Sequence, residues 1–159
     1  MSGSRRSSVC GAAVIVLLAA SALSLRGQGL PTWIIVMHAP QQLVELPDDR
    51  GRLRLWRFQA NARVDDTGRA VGGAVLERGG TRYEFSFRTG SHVADQERVV
   101  LTLNGVGVKT VGNREEEFDF VATATQSATQ PDIIIYDIQD GAPYGNKPPF
   151  QAEGTITIP

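Results

Sequence analysis

The sequence predicts one all-β domain behind an N-terminal signal peptide, folded as a single antiparallel β-sandwich or a small β-barrel. After about residue 32, apolar residues recur with a period of two, which is typical of strands with one buried face. Pairs of Asp, Asn and Gly that favour tight turns separate these stretches. No helical stripe occurs outside the N-terminal segment. We therefore expect roughly eight short strands joined by tight turns.

The N-terminal segment has the pattern of a secretory signal. Residues 1–8 contain Arg5 and Arg6 but no acidic residue, and an apolar run follows from Val9 to Leu25. The small residues Ala20-Ser21-Ala22 then fit a signal-peptidase site. We therefore predict a signal peptide over 1–22 (1–24 if cleavage follows Ser24), a linker over 23–31 and a single β-domain over 32–159.

A signal of this kind predicts a secreted or periplasmic protein. The alternative is that the apolar run remains as an uncleaved anchor, since its 17 residues are near the lower limit for spanning a bilayer. Contact with a membrane is expected only in that case.

Charge and cysteine content exclude several classes of function. The chain has a formal net charge of -1, which becomes -3 when Arg5 and Arg6 leave with the signal. This mildly acidic balance argues against binding to nucleic acid. The one cysteine, Cys10, precedes the predicted domain, so that domain has no disulfide and no cysteine-based zinc site. Lys109 and Lys147 are the only lysines, a bias toward arginine to which we assign no chemistry.

The first predicted strands are short. Trp33–Val36 and Leu43–Leu46 are expected to be separate strands, because prolines follow each of them. The alternation then shifts by one residue, which predicts a β-bulge at Trp56-Arg57. Asp65-Asp66-Thr67-Gly68 predicts a hairpin turn.

The middle of the chain predicts two further turns and a loop. Gly79-Gly80 is a two-residue turn signal, and Thr81–Thr89 follows it with regular alternation. Gly90–Glu97 is polar and is expected to be a loop. Asn104-Gly105 predicts a type I′ turn between two further strands.

The C-terminal part predicts three strands and one irregular loop. Phe118–Ala124 alternates, and the nearly continuous apolar run Asp132–Ile138 predicts a central strand covered on both faces. Gly141–Pro149 is rich in Gly and Pro and predicts the loop. The last strand, Gln151–Ile158, should pair with a central or an early strand, because an unpaired apolar edge favours aggregation.

Asp66 is the candidate catalytic residue. Asp66-Thr67-Gly68 resembles the Asp-Thr/Ser-Gly motif of the retropepsin-like aspartic proteases, whose two aspartates share a proton across a dimer and activate water. The family has apolar residues before its Asp and usually a small residue after its Gly, whereas Asp65 and Arg69 flank the motif here. The residues by themselves favour an ordinary turn.

We predict no metal site and no cofactor. The two histidines, His38 and His92, are isolated in the sequence, and Glu115–Glu117 has the pattern of a solvated edge. The sequence contains neither a phosphate-binding loop nor a nucleophile elbow.

The segment 140–150 is the predicted binding loop. Tyr144 lies among Gly, Pro and Asn residues, so its ring is expected to be exposed to solvent. Asp140, Tyr144 and Asn146 are therefore the candidate residues for binding a ligand or a partner, whose identity the sequence leaves open.

The C-terminal stretch also carries a resemblance. Asp140-Gly141-Ala142-Pro143, Phe150 and Gly154–Ile158 together resemble the ends of small, uncharacterised secreted bacterial β-proteins. The resemblance implies export and an all-β fold, and it implies no activity.

The leading functional hypothesis is a non-enzymatic exported protein that binds a ligand or partner or serves structurally. It depends on the lack of a catalytic constellation in the sequence. Two alternatives remain open: a small hydrolase that uses Asp66, and a barrel that carries an apolar ligand in its interior.

Overall fold

A computed structural model of the chain describes residues 32–48, 50–140, 143–145 and 147–159, without the side chain of Asp140. The predicted signal peptide and linker, residues 1–31, lie outside the described residues, as does the candidate binding residue Asn146. The described residues form the predicted all-β domain.

Nine antiparallel strands make up the domain. They are β1 (Trp33–Pro47), β2 (Leu53–Asp65), β3 (Ala70–Arg78), β4 (Thr81–Ala94), β5 (Arg98–Val111), β6 (Arg114–Ser127), β7 (Gln130–Asp140), β8 (Phe150–Glu153) and β9 (Thr155–Thr157). Within the described part of the chain, we find no helix with the length and apolar character needed to traverse a bilayer.

The strands form one nearly closed barrel and not a two-sheet sandwich. Strands β1 to β7 pair with their neighbours in chain order. The C-terminal segment then lies between the two ends of this meander, since β8 pairs with β7 and β9 pairs with β1. The last strand thus pairs with an early strand, as predicted.

Strand β1 is continuous, contrary to the prediction of two short strands. The register with β2 shifts between Ala39 and Gln42, which marks a bulge at Pro40 and Gln41. The bulge tolerates Pro40, whose nitrogen has no hydrogen to donate. It also changes which residues face the interior, from Met37 and Ala39 before it to Val44 after it.

The bulge predicted at Trp56-Arg57 is wrong. Strand β2 pairs regularly with β1 on one side and β3 on the other through this point. Trp56 keeps the inward phase of Phe58, so Leu53 and Leu55 point outward and are 63% and 55% exposed. The predicted shift of alternation assumed that the apolar residues before Trp56 face inward, as those after it do.

The turn predicted at Asn104-Gly105 is also wrong, because both residues lie inside β5. Only glycine fits at position 105, because a Cβ atom would lie 1.9 Å from the Ser86 carbonyl oxygen on β4. The chain instead reverses at Gly112, which has a φ of +59°. The predicted turns at Asp66–Gly68 and Gly79-Gly80 are confirmed.

Two further strand predictions need correction. The segment predicted as a loop, Gly90–Glu97, is mostly strand, since β4 continues to Ala94. Strand β7 is not covered on both faces: Ile134, Tyr136 and Ile138 are buried, but Ile135 is 40% exposed. Its outward isoleucines therefore lie on the outer wall of the barrel.

Closure of the barrel depends on Gly154, which separates β8 from β9. A Cβ atom on this residue would lie 2.6 Å from the His38 carbonyl oxygen and 3.2 Å from the Cα of Ala39. Its N–H donates to the Asp132 carbonyl at 2.9 Å. Only glycine allows the C-terminal segment to pass this closely between β1 and β7.

Two glutamine side chains complete the closure. The amide of Gln42 on β1 bridges to the backbone of Glu153, donating to its carbonyl at 2.8 Å and accepting from its N–H at 2.6 Å. Buried Gln126 on β6 accepts from the Ile156 N–H at 3.0 Å and donates to the carbonyls of Pro131 and Gly154. These side chains satisfy backbone groups that a regular ladder would otherwise pair.

The barrel interior is filled by large and small side chains in alternation. Phe58 packs edge-on against Tyr136 and Phe150, with ring centroids 4.8 and 5.0 Å away. Buried alanines fill the remaining positions of the same wall segments, among them Ala60, Ala62, Ala122 and Ala124. This complementarity produces the filled core that a barrel of about eight strands allows.

We predict that Gln126→Ala lowers the free energy of unfolding by about 1–3 kcal/mol, because it leaves the buried Ile156 N–H without an acceptor. Urea denaturation followed by circular dichroism measures the change. Exposed Gln139, whose amide donates only to Asp137, is the matched control, and Gln139→Ala should be nearly neutral. Equal effects of the two substitutions would contradict the closure described above.

Candidate functional site

Tyr144 is buried, so the expectation that it is exposed is wrong. Only 2% of its surface is accessible, and its ring contacts Tyr83 and Phe85 edge-on at centroid distances of 5.4 and 5.7 Å. The Tyr83 hydroxyl donates to the carbonyl of neighbouring Pro143 at 3.4 Å. Among the described buried apolar side chains, that of Tyr144 is the one that does not come from a strand.

Tyr144 lies at one end of the barrel, which we call the basic–aromatic end. Three cations stand over three aromatic rings here: Arg78 over Trp56 at 5.9 Å, Lys109 over Tyr83 at 5.6 Å and Lys147 over Tyr144 at 5.4 Å. The rings are neighbours, since Tyr83 is 6.0 Å from Trp56 and 5.4 Å from Tyr144. Both lysines of the chain are therefore at this end.

Strand phase explains how the cations reach this position. Leu76 and Gly107 are buried on β3 and β5, and Arg78 and Lys109 follow them two residues later in the same inward phase. Both residues are close to the ends of their strands, where the interior opens to solvent. Both side chains are half-buried, and their charged groups lie over the aromatic rings.

Neither Arg78 nor Lys109 forms an ion pair with any residue that the structure describes. The acidic groups nearby engage other arginines: Asp48 pairs with Arg52 and Arg54, and Arg82 pairs with Glu77 and Glu84. Glu116 lies opposite Lys109 on β6 but forms no ion pair with it. Among the described residues, no carboxylate therefore forms an ion pair with Arg78 or Lys109.

Two buried polar atoms also lack a partner within the described residues: the indole Nε1 of Trp56 and the hydroxyl of Tyr136. The Trp56 nitrogen belongs to the basic–aromatic end, whereas Tyr136 lies deeper in the barrel. Burial raises the pKa of the Tyr136 hydroxyl, so this group remains protonated. An unpaired buried donor costs about 1–3 kcal/mol, which makes the Trp56 N–H ready to bind an acceptor.

The interior holds little free space. One enclosed cavity of about 10 Å³ lies between Phe58, Phe85, Tyr136 and neighbouring apolar side chains. That volume is close to the minimum for a single water molecule, whereas pockets for organic ligands measure about 300–1,000 Å³. An apolar ligand inside the barrel would therefore require interior side chains to move.

Two of the open depressions on the outer wall measure about 500 Å³. One, of about 500 Å³, is lined by Arg88, Asn104, Asp119 and Gln139 among others. The other, of about 520 Å³, lies beside His38 and Asn61. Both expose their polar lining to solvent, and neither has an outward-facing aromatic ring that would hold a ligand.

Asp66 lies in the exposed turn between β2 and β3, at the opposite end of the barrel from Tyr144. Its neighbour Asp65 is the structural residue of this turn, because its Oδ1 accepts from the Thr67 hydroxyl at 2.6 Å and from the N–H groups of Thr67 and Arg69. These hydrogen bonds, that of the Thr67 hydroxyl first, lower the pKa of Asp65. The motif thus makes a hairpin turn, as the residues by themselves favoured.

The predicted binding residues are not brought together in a way that the structure describes. The backbone of Asp140 ends β7 opposite Phe120, but its side chain and the whole of Asn146 lie outside the described residues. Among the described residues, no group of three His, Asp or Glu side chains is placed to hold a metal ion. Comparison of the chain with protein-family models, with curated proteins and with solved structures found no match.

Arg78 and Lys109 were not among the site residues predicted from the sequence. A signal for both was present, since each continues the inward phase of its strand where an apolar residue would be expected. The sequence could not predict that both lysines lie at the same end of the barrel, because Lys109 and Lys147 are distant in the chain.

We predict that the domain loses stability as the pH falls from about 4 to 2, because three turn carboxylates accept backbone N–H groups. Hydrogen bonding chiefly to the Arg52 N–H lowers the pKa of Asp48 to about 2. The Thr67 hydroxyl chiefly lowers the pKa of Asp65, and the Glu97 N–H chiefly lowers that of Asp95. A carboxylate whose pKa is lower in the folded than in the unfolded chain stabilises the fold at pH values above its unfolded pKa. This stabilisation is lost as the pH falls and the carboxylate becomes protonated. Urea denaturation at several pH values measures the decline.

Asp48→Asn should reduce this pH dependence, since an amide does not titrate. Asp66→Asn is the matched control, because no described group donates to the Asp66 side chain. It should leave the pH dependence of stability unchanged. A flat stability profile between pH 4 and 2 would contradict the prediction.

We predict that Tyr144→Ala lowers the free energy of unfolding by about 3 kcal/mol, because it removes a buried ring and leaves a cavity beside Tyr83 and Phe85. Tyr144→Phe retains the ring and should therefore cost less than Tyr144→Ala. Urea denaturation compares the two variants. If Tyr144→Ala is as stable as the native chain, the loop does not pack as described.

Proposed function

We propose that this protein is an exported, non-enzymatic binding domain whose ligand site is the basic–aromatic end. The observation that carries the proposal is the contiguous set of Trp56, Tyr83 and Tyr144, each beneath a cation. Buried aromatic rings provide a rigid base, and the cations above them provide orientation and specificity. The signal-like N-terminal segment supports export to the periplasm or the exterior.

The location of the charge also supports binding at this end. Arg78 and Lys109 have no counter-charge among the described residues, in a chain with more acidic than basic residues. Charges of one sign that lie over apolar rings, without a described counter-charge, attract ligands of the opposite sign.

Two alternatives have less support. A carrier of an apolar ligand would need interior space, and the enclosed cavity measures about 10 Å³. A hydrolase that uses Asp66 would need a second carboxylate beside an exposed turn. A hydrolysis assay of the native chain and of Asp66→Ala with peptide and ester substrates tests the latter, and activity lost only in the variant would overturn the binding proposal.

Nuclear magnetic resonance tests the location of the site. Phenol, benzoate, acetate, inorganic phosphate and glucose are titrated separately into the ¹⁵N-labelled full chain. We expect at least one compound to shift the amide signals of residues 78–83, 107–111 and 143–145 together and saturably. The turn at Asp66, at the opposite barrel end, is the internal control.

Shifts confined to the outer wall or to the Asp66 end, or no saturable shift from any compound, would contradict the proposed site. Saturable shifts in the interior residues Phe58, Tyr136 and Ile138 alone would favour the carrier alternative.

A further inference from the structure

We propose that the basic–aromatic end binds an oxyanion, a carboxylate or phosphoryl group, with Arg78 and Lys109 as its charged ligands and the Trp56 indole N–H as its neutral donor. This inference rests on the proposed function and specifies the chemistry of the ligand.

The first support is the position of two cations over adjacent rings. Arg78 and Lys109 stand over Trp56 and Tyr83, whose ring centroids are 6.0 Å apart. Two positive groups over adjacent rings repel each other, and the low dielectric of the aromatic surface strengthens this repulsion. An anion between them would remove the repulsion and accept charge-assisted hydrogen bonds from both.

The second support is the unpaired indole nitrogen. Trp56 is 4% exposed, and its Nε1 has no acceptor among the described residues. Most buried polar groups are paired, so this donor indicates an acceptor that the described residues do not supply. Arg78 covers the same indole at 5.9 Å, which places this neutral donor beside a cation.

The third support is the distribution of acidic groups around the site. Asp48 is held by Arg52 and Arg54, while Glu77 and Glu84 are held by Arg82. Glu116, opposite Lys109 on β6, is exposed and forms no ion pair there. The described carboxylates therefore leave the position between Arg78 and Lys109 to an external anion.

The chain provides its own reporter for the test. It has two tryptophans, and Trp33 begins β1 at the opposite end of the barrel from Trp56. Inorganic phosphate and acetate are titrated into the ¹⁵N-labelled full chain at constant ionic strength, with acetamide as the neutral analogue of acetate. We expect the anions to shift the Trp56 indole signal saturably and to leave that of Trp33 unchanged.

Matched variants identify the ligands of the anion. Arg78→Gln and Lys109→Gln should each weaken anion binding by about fivefold, and the double variant should abolish it. Lys109→Arg should retain binding because it retains the charge. Arg63→Gln, on the exposed outer wall, removes a charge elsewhere and should have no effect. The dispersion of the amide spectrum shows whether each variant is folded.

Each outcome distinguishes the oxyanion inference from the proposed function. Phosphate binding without acetate binding would assign a phosphoryl ligand, and the reverse a carboxylate. Equal shifts with acetamide, equal shifts of both tryptophans, or unchanged affinity in the double variant would overturn the inference. If phenol binds at this end and the anions do not, the oxyanion inference fails but the proposed site remains. If none of these compounds binds there, both fail.

Discussion

Closure of the barrel at Gly154 is the constraint on which the rest of the structure depends. A meander of seven strands has two open edges, and each would expose unpaired backbone groups. The C-terminal segment covers both edges because it changes its partner from β7 to β1 at this one residue. A residue larger than glycine does not fit where the segment crosses, and the strands do not pair regularly there. The side-chain amides of Gln42 and Gln126 therefore bond the backbone groups of Glu153 and Ile156.

Closure also creates the candidate site. Once the wall is continuous, each strand has one inward phase, and the last inward residues of β3 and β5 must lie at the same end of the interior. Aromatic side chains fill the interior below this end, so Arg78 and Lys109 stand above buried rings. Tyr144 packs into the same end from the segment between β7 and β8. A packed interior and a charged rim are therefore two results of the same alternation.

The sequence errors in the fold share one physical cause. Alternation of apolar residues indicates strands, but it indicates the buried face only if the outer face is polar. The outer wall carries Leu53, Leu55 and Ile135, so the inferred phase was wrong at Trp56 and the inferred burial was wrong on β7. Asn104-Gly105 has the composition of a turn, yet the close approach of β4 requires glycine inside a strand. Local composition cannot separate these two uses of glycine.

The sequence by itself determined the all-β class, two of the hairpin turns and the pairing of the last strand with an early one, because period-two alternation and turn chemistry are local properties. Only the tertiary structure decided between barrel and sandwich, and only it placed Arg78, Lys109 and Tyr144 together. These residues come from β3, β5 and the segment after β7, so their proximity depends on strand register and closure. The burial of Tyr144 has the same origin, since the rings that cover it, Tyr83 and Phe85, are about 60 residues away in the chain.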